Sequence, residues 1–405
     1  MGAAPISPVP STALALPHDG RPLRVAIVTE SFLPQVNGVT NSVCRVAEQL
    51  AARGHEALIV APGHGPATYA GFPVVRMPFL PLPFYRDFAL GLPARRSLTT
   101  AIRAFAPDVV HLASPAVFGA AAVVTARRWA LPTVAVFQAG LAGFATRYGL
   151  SAADTVWRLL RRTHAAVDRT LFPSSATLET LTDQRFPRLA LWQRGVDADR
   201  FHPRYRDEVL RRRLAPNGER IVGFVGRLAK EKRVALLAHV ARLRGIRIVV
   251  VGDGPERSRL RRQLPDAVFT GQLTGEKLSR LYASLDVFVH TGADATFCQS
   301  VQEALASGVP AVAPAAGGPL DLITDEHNGL LYAPDSVREL RVAVGLLVHN
   351  NAVRARTAAN ARPSVEHRTW ETIGDQLIEH YRAVIAPSRE LAARAPDPHS
   401  PVPGP

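Results

Sequence analysis

The feature that most constrains this chain is a run of short, nearly unbroken apolar segments separated by amphipathic stretches, and it occurs twice. From Arg24 the text reads RVAIVTE, a helical pattern through Val43, Ala47 and Leu50, EALIVAP and then VVRMP. It continues with DVVHLA (Asp108 to Ala113), TVAVFQ (Thr133 to Gln138), RTLFPS (Arg169 to Ser174) and LALWQRG (Leu189 to Gly195). Strands apolar on both faces belong to parallel sheets, whose crossovers are helices. A second series follows at Ile221–Arg227, Ile246–Gly254, Ala267–Gly271, Asp286–Gly292 and Pro310–Gly318. The spacing predicts two doubly wound α/β units facing a central cleft, with the polar, Arg-rich stretch between the series as linker. The expected organisation is a tail at 1–22, a first domain at 23–196, a linker at 197–219 and a second domain at 220–365. A helix at 366–387 crosses back to the first domain, and a tail fills 388–405.

Composition narrows the function classes. Of the 405 residues, 47% are hydrophobic and 20% charged, a mixture that buries large cores and excludes global disorder. Cys44 and Cys298 lie far apart and match no metal or redox spacing, which fits a reducing cytoplasm. The net charge of +14 admits nucleic acid, an anionic membrane face or an anionic substrate. Almost all of that charge is Arg, the lysines being Lys230, Lys232 and Lys277 alone. The most apolar stretch, Ala116 to Ala126, stops at Arg127-Arg128, well short of the roughly 20 residues that span a bilayer. The first residues carry no export signal and no myristoylation pattern, Ile6 standing where Ser or Thr is needed.

Neither series carries G-x-G-x-x-G after its first strand, and no G-x-x-x-x-G-K-[ST] occurs, so dinucleotide oxidoreductases and P-loop nucleotidases lose their main support. A different phosphate device stands after the first strand of the second series, at Gly226-Arg227-Leu228-Ala229-Lys230-Glu231-Lys232. A guanidinium grips a diphosphate with paired hydrogen bonds and an ammonium adds a point charge. Taken alone, such a run is more often a solvated charged turn. In the first series the loop from Phe32 to Val39 holds Gly38, which lets backbone amides at a helix start approach an anion. Farther on, Ala295-Thr296-Phe297-Cys298-Gln299 leads into a helix carrying Glu303, a candidate acceptor for ribose hydroxyls or a plain surface carboxylate.

These segments together resemble family 4 retaining glycosyltransferases of the two-Rossmann-domain (glycosyltransferase B) type. The likeness rests on G-R-L-x-x-E-K at Gly226 to Lys232, V-G-D-G-P at Val251 to Pro255, and T-F-C-Q-x-x-x-E-A-L-A-S-G-V-P at Thr296 to Pro310. E-S-F-L-P-Q-V-N-G-V at Glu30 to Val39, V-V-H-L-A-S-P at Val109 to Pro115, R-G-V-D at Arg194 to Asp197 and A-G-G-P-x-D-L-I at Ala316 to Ile323 look like the actinobacterial GDP-mannose-dependent α-mannosyltransferases of glycolipid synthesis. The likeness spans about Arg24 to Ile385. It implies an acceptor-side first domain and a nucleotide-binding second domain. Arg227 and Lys232 would bind the donor diphosphate and support catalysis, Gly38 would bring main-chain amides to the same group, Glu303 would hold the ribose, and Phe297, Cys298 and Gln299 would cap the diphosphate and sugar. It implies no metal and no other cofactor, the two cations neutralising the leaving group instead.

The sequence departs from the family pattern at two places. In E-x7-E the first Glu falls on Ala295, with Asp294 one residue away as its candidate substitute, and Phe137-Gln138-Ala139-Gly140 stands where relatives carry Gln-Thr-Asp. The leading reading is transfer of a hexose, mannose from GDP-mannose, to a glycolipid or other lipid-linked acceptor at the cytoplasmic membrane face. The alternative is a degraded relative that binds nucleotide sugar or a partner without transfer. A sugar-nucleotide epimerase or oxidoreductase has no supporting motif. The mixture of aromatics and Arg from Phe84 to Arg103, and again from Trp157 to Arg162, suits either peripheral contact with anionic lipid or ordinary packing with a solvated face. No nucleic-acid module is present.

Overall fold

The computed structural model describes residues 21–35, 37–82, 85–91, 95–113, 115–138 and 153–394. Most of both expected tails lies outside them, as do Phe84, Pro93, Ala139 and Gly140. The first half contains β1 (Arg24–Thr29), α1 (Gly38–Ala52), β2 (Glu56–Pro62), β3 (Thr68–Tyr69), β4 (Phe72–Met77), β5 (Phe79–Leu82), β6 (Tyr85–Gly91) and α2 (Arg95–Phe105). It continues with β7 (Val109–Ala113), α3 (Val117–Arg128), β8 (Thr133–Val136), α4 (Ala153–Ala165), β9 (Arg169–Phe172), α5 (Ser175–Asp183) and β10 (Leu189–Leu191). The second half contains α6 (Glu208–Leu214), β11 (Arg220–Val225), α7 (Leu237–Val240), β12 (Ile246–Val251), α8 (Arg257–Gln263), β13 (Val268–Gly271), α9 (Gly275–Ala283) and β14 (Val287–Val289). After these come α10 (Gln299–Ala306), β15 (Ala311–Pro314), β16 (Gly329–Tyr332), α11 (Val337–His349), α12 (Asn351–Ala361) and α13 (Trp370–Arg394).

The first sheet has the order β10-β9-β8-β7-β1-β2-β4-β3 and the second β13-β12-β11-β14-β15-β16. All pairings in the second are parallel, and in the first only the short β3–β4 contact is antiparallel. Each strand order reverses once, between β1 and β7 and between β11 and β14, and at such a reversal the carboxyl ends of the strands open a crevice. The apolar runs are buried on both faces because each sheet carries a hydrophobic cluster on either side.

Three features differ from the sequence reading. The antiparallel hairpin β5–β6 occupies part of the stretch of mixed aromatics and Arg, and β16 adds a strand with no counterpart in the apolar runs. The stretch read as a linker folds into a short 3-10 turn at Pro203–Tyr205 and α6, and Phe201, Leu214 and Ala215 are buried in the second domain's core. The final helix runs through Pro387 to Arg394. It packs Ile373, Leu377, Tyr381 and Val384 into the cluster that holds β1 and α1 of the first domain. Tyr381 and His111 Nδ1 share a buried 2.8 Å hydrogen bond there, and Trp192 donates to the carbonyl of Ile373 at 3.0 Å. The outward and returning chains run side by side, Val196 N donating to Arg368 O at 2.8 Å.

Candidate active site

The reversal point of the second sheet is lined by the loops after β11 and β14. The loop from Gly226 to Lys232 is laid against the V-G-D-G turn: Gly226 N donates to Val251 O at 3.0 Å and Leu228 N to Asp253 O at 2.9 Å. Gly252 and Gly254 have φ of +124° and +156°, and a Cβ on either would collide with the carbonyl of Gly226 or Leu228. Those glycines therefore exist to bring two backbones together. Leu228 and Ala229 are buried as anchors, which leaves Arg227 exposed and Lys232 half-buried. Thr291 Oγ1 donates to the Lys232 carbonyl, and Arg233, at φ 49°, closes the turn through an ion pair with Asp335. Among the described residues Lys232 makes no ion pair with a carboxylate.

Two buried side chains face Lys232, one just after β14 and one at the start of α10. His290 Nε2 and Cys298 Sγ lie 3.4 Å apart. Burial, with the Lys232 charge adding to it, holds the imidazole down at about 3. Burial pushes the thiol up to about 12 against the pull of the same ammonium. Both groups are thus neutral at pH 7, and neither provides the counter-charge that Lys232 lacks.

The start of α10 is fixed by the A-G-G-P turn. Gly318 N donates to Ala295 O at 2.8 Å, and a Cβ on Gly317 would come within 2.6 Å of that carbonyl. Cys298 is the N-cap and makes no side-chain cap hydrogen bond, so the first-turn amides have no acceptor from their own cap. Ala295 and Phe297 pack at the margin of the second domain's core, whereas Asp294 is exposed. The methyl group and the neighbouring carboxylate therefore sit in different environments.

Across the cleft, the first domain finishes its reversal point differently. Asn37 Oδ1 accepts from Val39 N and Thr40 N, both at 3.0 Å, so two of the amides at the start of α1 are already satisfied. Gly38 is exposed, does not have a positive φ, and would accommodate a Cβ at 3.6 Å from Arg194 Nη1. Neither a turn nor a clash demands glycine there. Glu30, only 4% exposed, follows β1 and caps α3 from a distance, its Oε1 accepting from Ala116 N and Gly119 N at 2.8 Å each. Burial raises its carboxyl above the ordinary range despite those bonds.

Arg194 joins the two sides. Its Nη1 donates to Gly38 O at 3.1 Å and its Nη2 to Gln138 Oε1 at 2.7 Å. Thr296 Oγ1, from the loop before α10, donates to Gln138 O at 3.1 Å. On α10, Gln302 donates to Arg194 O at 3.1 Å and Gln299 to Gly195 O at 3.0 Å. Gln299 is thus engaged with the interdomain crossing.

The structure brings Lys232 together with Cys298, and Gly38 together with the loop at Thr296 through Arg194 and Gln138. Glu303 follows Gln302 on α10 and has a different set of charged neighbours. It is half-buried, its carboxyl pushed up to about 7 by burial, and its polar surroundings are Tyr282, Arg200, Arg45 and Asp197, from α9, the linker and α1. Sequence reasoning quoted Arg194 and Glu30 only as parts of R-G-V-D and E-S-F-L-P-Q-V-N-G-V, without a role, and it gave none to His290. The available signal was position, since each follows a strand at the carboxyl edge that lines the cleft. Among the described residues no group of three or more His, Cys, Asp or Glu is placed to hold a metal. No described helix is long and apolar enough to cross a membrane.

Comparison with known proteins agrees with this architecture. In solved structures the chain is similar to Anabaena Alr3699/HepE in complex with UDP, with a TM-score of 0.74, 19% identity, and coverage of 89% of this chain and 100% of that one. It is similar also to sucrose-phosphate synthase from Thermosynechococcus elongatus, with a TM-score of 0.75, 19% identity, and 90% and 100% coverage. At those identities the likeness is one of fold, the glycosyltransferase B arrangement of two parallel-sheet domains. In sequence, a GDP-mannose-dependent alpha-mannosyltransferase of Mycobacterium tuberculosis is 51% identical over 370 residues, 89% of this chain and 97% of the relative. One from Corynebacterium glutamicum is 46% identical over 378 residues, covering 92% and 91%. The model of glycosyltransferase family 4 matches residues 36–200 and that of glycosyl transferases group 1 matches residues 206–364. With both halves matched and a relative of this identity aligned over nearly its whole length, the chain belongs to glycosyltransferase family 4.

Proposed function

We propose that this protein transfers mannose from GDP-mannose to a lipid-linked acceptor with retention of configuration. The observation that carries the reading is the edge of the second sheet at its strand reversal, where Lys232 lies near Cys298 at the start of α10 and Arg227 is exposed on the same loop, in a chain about half identical to GDP-mannose-dependent mannosyltransferases. As the bond from the sugar's anomeric carbon to the β-phosphate oxygen breaks, negative charge grows on the diphosphate. Fixed cations and helix-start amides stabilise it without reorganising. The acceptor hydroxyl bonds to the same carbon from the face being vacated, and its proton passes to the departing phosphate oxygen.

In this reading Gly38 and the amides of Phe297 to Gln299 close over the diphosphate and sugar, and Glu303 accepts the ribose hydroxyls. Asp294 supplies the carboxylate that E-x7-E places at the position of Ala295. Its exposure at the loop supports the assignment, since the Ala295 methyl is packed toward the core. The lipid acceptor calls for contact with an anionic membrane face. Val124 and Trp129 are 52% and 42% exposed beside Arg127 and Arg128, and Arg103 lies 4.2 Å from the Trp129 ring, which together suit a basic, apolar-tipped surface. The test is transfer of radiolabelled mannose from GDP-mannose to membrane lipid extract. Incorporation into the lipid phase is expected, and its absence alongside normal GDP binding would overturn the transfer reading.

A further inference from the structure

The Arg194 guanidinium is a half-buried cation with no counter-charge among the described residues. Burial alone lowers it to about 10, so it is fully charged at pH 7. Its two side-chain partners, Gly38 O and Gln138 Oε1, are neutral acceptors, and among the described residues no carboxylate pairs with it. Two of its five N–H groups are used by those bonds. A partly desolvated cation in this state costs stability until an anion reaches it. Its position is as informative as its charge. The groups around it are the exposed start of α1 at Gly38, the end of β8 at Gln138, and through Gln138 O the Thr296 loop that opens α10.

We propose that Arg194 is a third cation of the donor site, its unused N–H groups taking a phosphate oxygen of the nucleoside diphosphate from the first-domain side of the cleft. The inference rests on the donor reading above. It adds a consequence, because α10 holds the same segment, Gln302 donating to the Arg194 carbonyl and Gln299 to that of Gly195. A diphosphate shared between Arg194 and Lys232 links the two domains through one anion, so that occupancy of the donor site holds the cleft in its joined arrangement. Arg194 then belongs to binding of the phosphate and not of the nucleoside.

The test is calorimetric titration of the full-length protein and its Arg194→Met and Arg194→Lys variants with GDP, GMP and guanosine. GDP affinity is expected to fall about tenfold or more in Arg194→Met, the size of one charge-assisted contact, and by less in Arg194→Lys. Guanosine affinity is expected to stay the same in all three proteins. Equal weakening of GDP and guanosine would reduce Arg194 to a structural tie, and unchanged GDP affinity in either variant would remove it from the site. If Arg194→Met does not fold, Arg194→Lys carries the decision alone by the same comparison. Failure of the unmodified protein to bind GDP would instead overturn the donor reading itself.

Discussion

The two domains share one architecture and finish their cleft-facing edges in opposite ways. At the first domain's reversal point the loop after β1 pairs most of its own polar groups, Arg194 beside it excepted: Asn37 caps α1, Glu30 caps α3 through one oxygen, and Ser31 bridges Gln35, Thr40 and Asn37. At the second domain's reversal point Lys232 has no carboxylate partner among the described residues, the neighbouring imidazole and thiol are neutral, and α10 begins without a side-chain cap. A strand edge whose polar groups are already paired is suited to a neutral, hydroxyl-bearing molecule, and one left short of negative charge is suited to a diphosphate. In the proposed function the first edge takes the acceptor and the second the donor diphosphate.

The sharpest way to break that contrast is at the missing glutamate. Asp294→Ala is expected to lower transfer from GDP-mannose by about 10²-fold or more, the size of one preorganised electrostatic contact. Ala295→Glu is expected to reduce transfer as well, because a second carboxylate is forced beside the first. A rise in activity with Ala295→Glu would show that Asp294 does not serve and that the site was weakened by loss of the glutamate. Initial rates for the two variants decide between these opposite signs.

Next in size is the cation pair. Lys232→Ala and Arg227→Ala are each expected to weaken GDP binding by about 1.5–3 kcal/mol, the worth of a hydrogen bond to a charged group. Unchanged affinity in both variants, measured by calorimetry, would place the diphosphate elsewhere. Tyr381→Phe in the first domain supplies the contrast. It leaves His111 Nδ1 buried without its 2.8 Å partner and is expected to cost about 1–3 kcal/mol in urea unfolding, with GDP affinity intact.

A smaller effect belongs to Glu303, whose carboxyl is held at about 7 against an ordinary value of 4.5. Between those two values the folded state keeps a proton that the unfolded state has released, so this group's contribution to stability falls as pH rises from 4.5 toward 7. Glu303→Gln is expected to flatten that part of the stability profile. A variant with the same pH slope as the parent would show that the carboxyl is ionised throughout, in keeping with its neighbours Arg200 and Arg45 and not with burial.

Much of the fold was legible because parallel strands buried on both faces write themselves as apolar runs, as RVAIVT and IRIVVV do. The hairpin β5–β6 escaped because its strands carry Pro81 and interrupted apolar patterning, and β16 because its four residues follow a polar turn at Glu326–Asn328. The linker reading gave way because Arg-rich text hides a few apolar anchors, Phe201 and Leu214 among them. In the site, the Arg227–Lys232 loop could be read locally, since its chemistry and its glycine support lie in short motifs. Arg194 could not, because its meaning depends on Gly38 and Gln138, which are 156 and 56 residues away in sequence.

The most direct test of the account is a paired calorimetric titration of the unmodified protein and Lys232→Ala with GDP and with guanosine at low ionic strength. The account predicts that GDP binds the unmodified protein far more tightly than guanosine does, and that most of this advantage disappears in Lys232→Ala while guanosine binding is unaffected. Equal affinity of GDP and guanosine in the unmodified protein would contradict the claim that the second domain's strand edge is a diphosphate site.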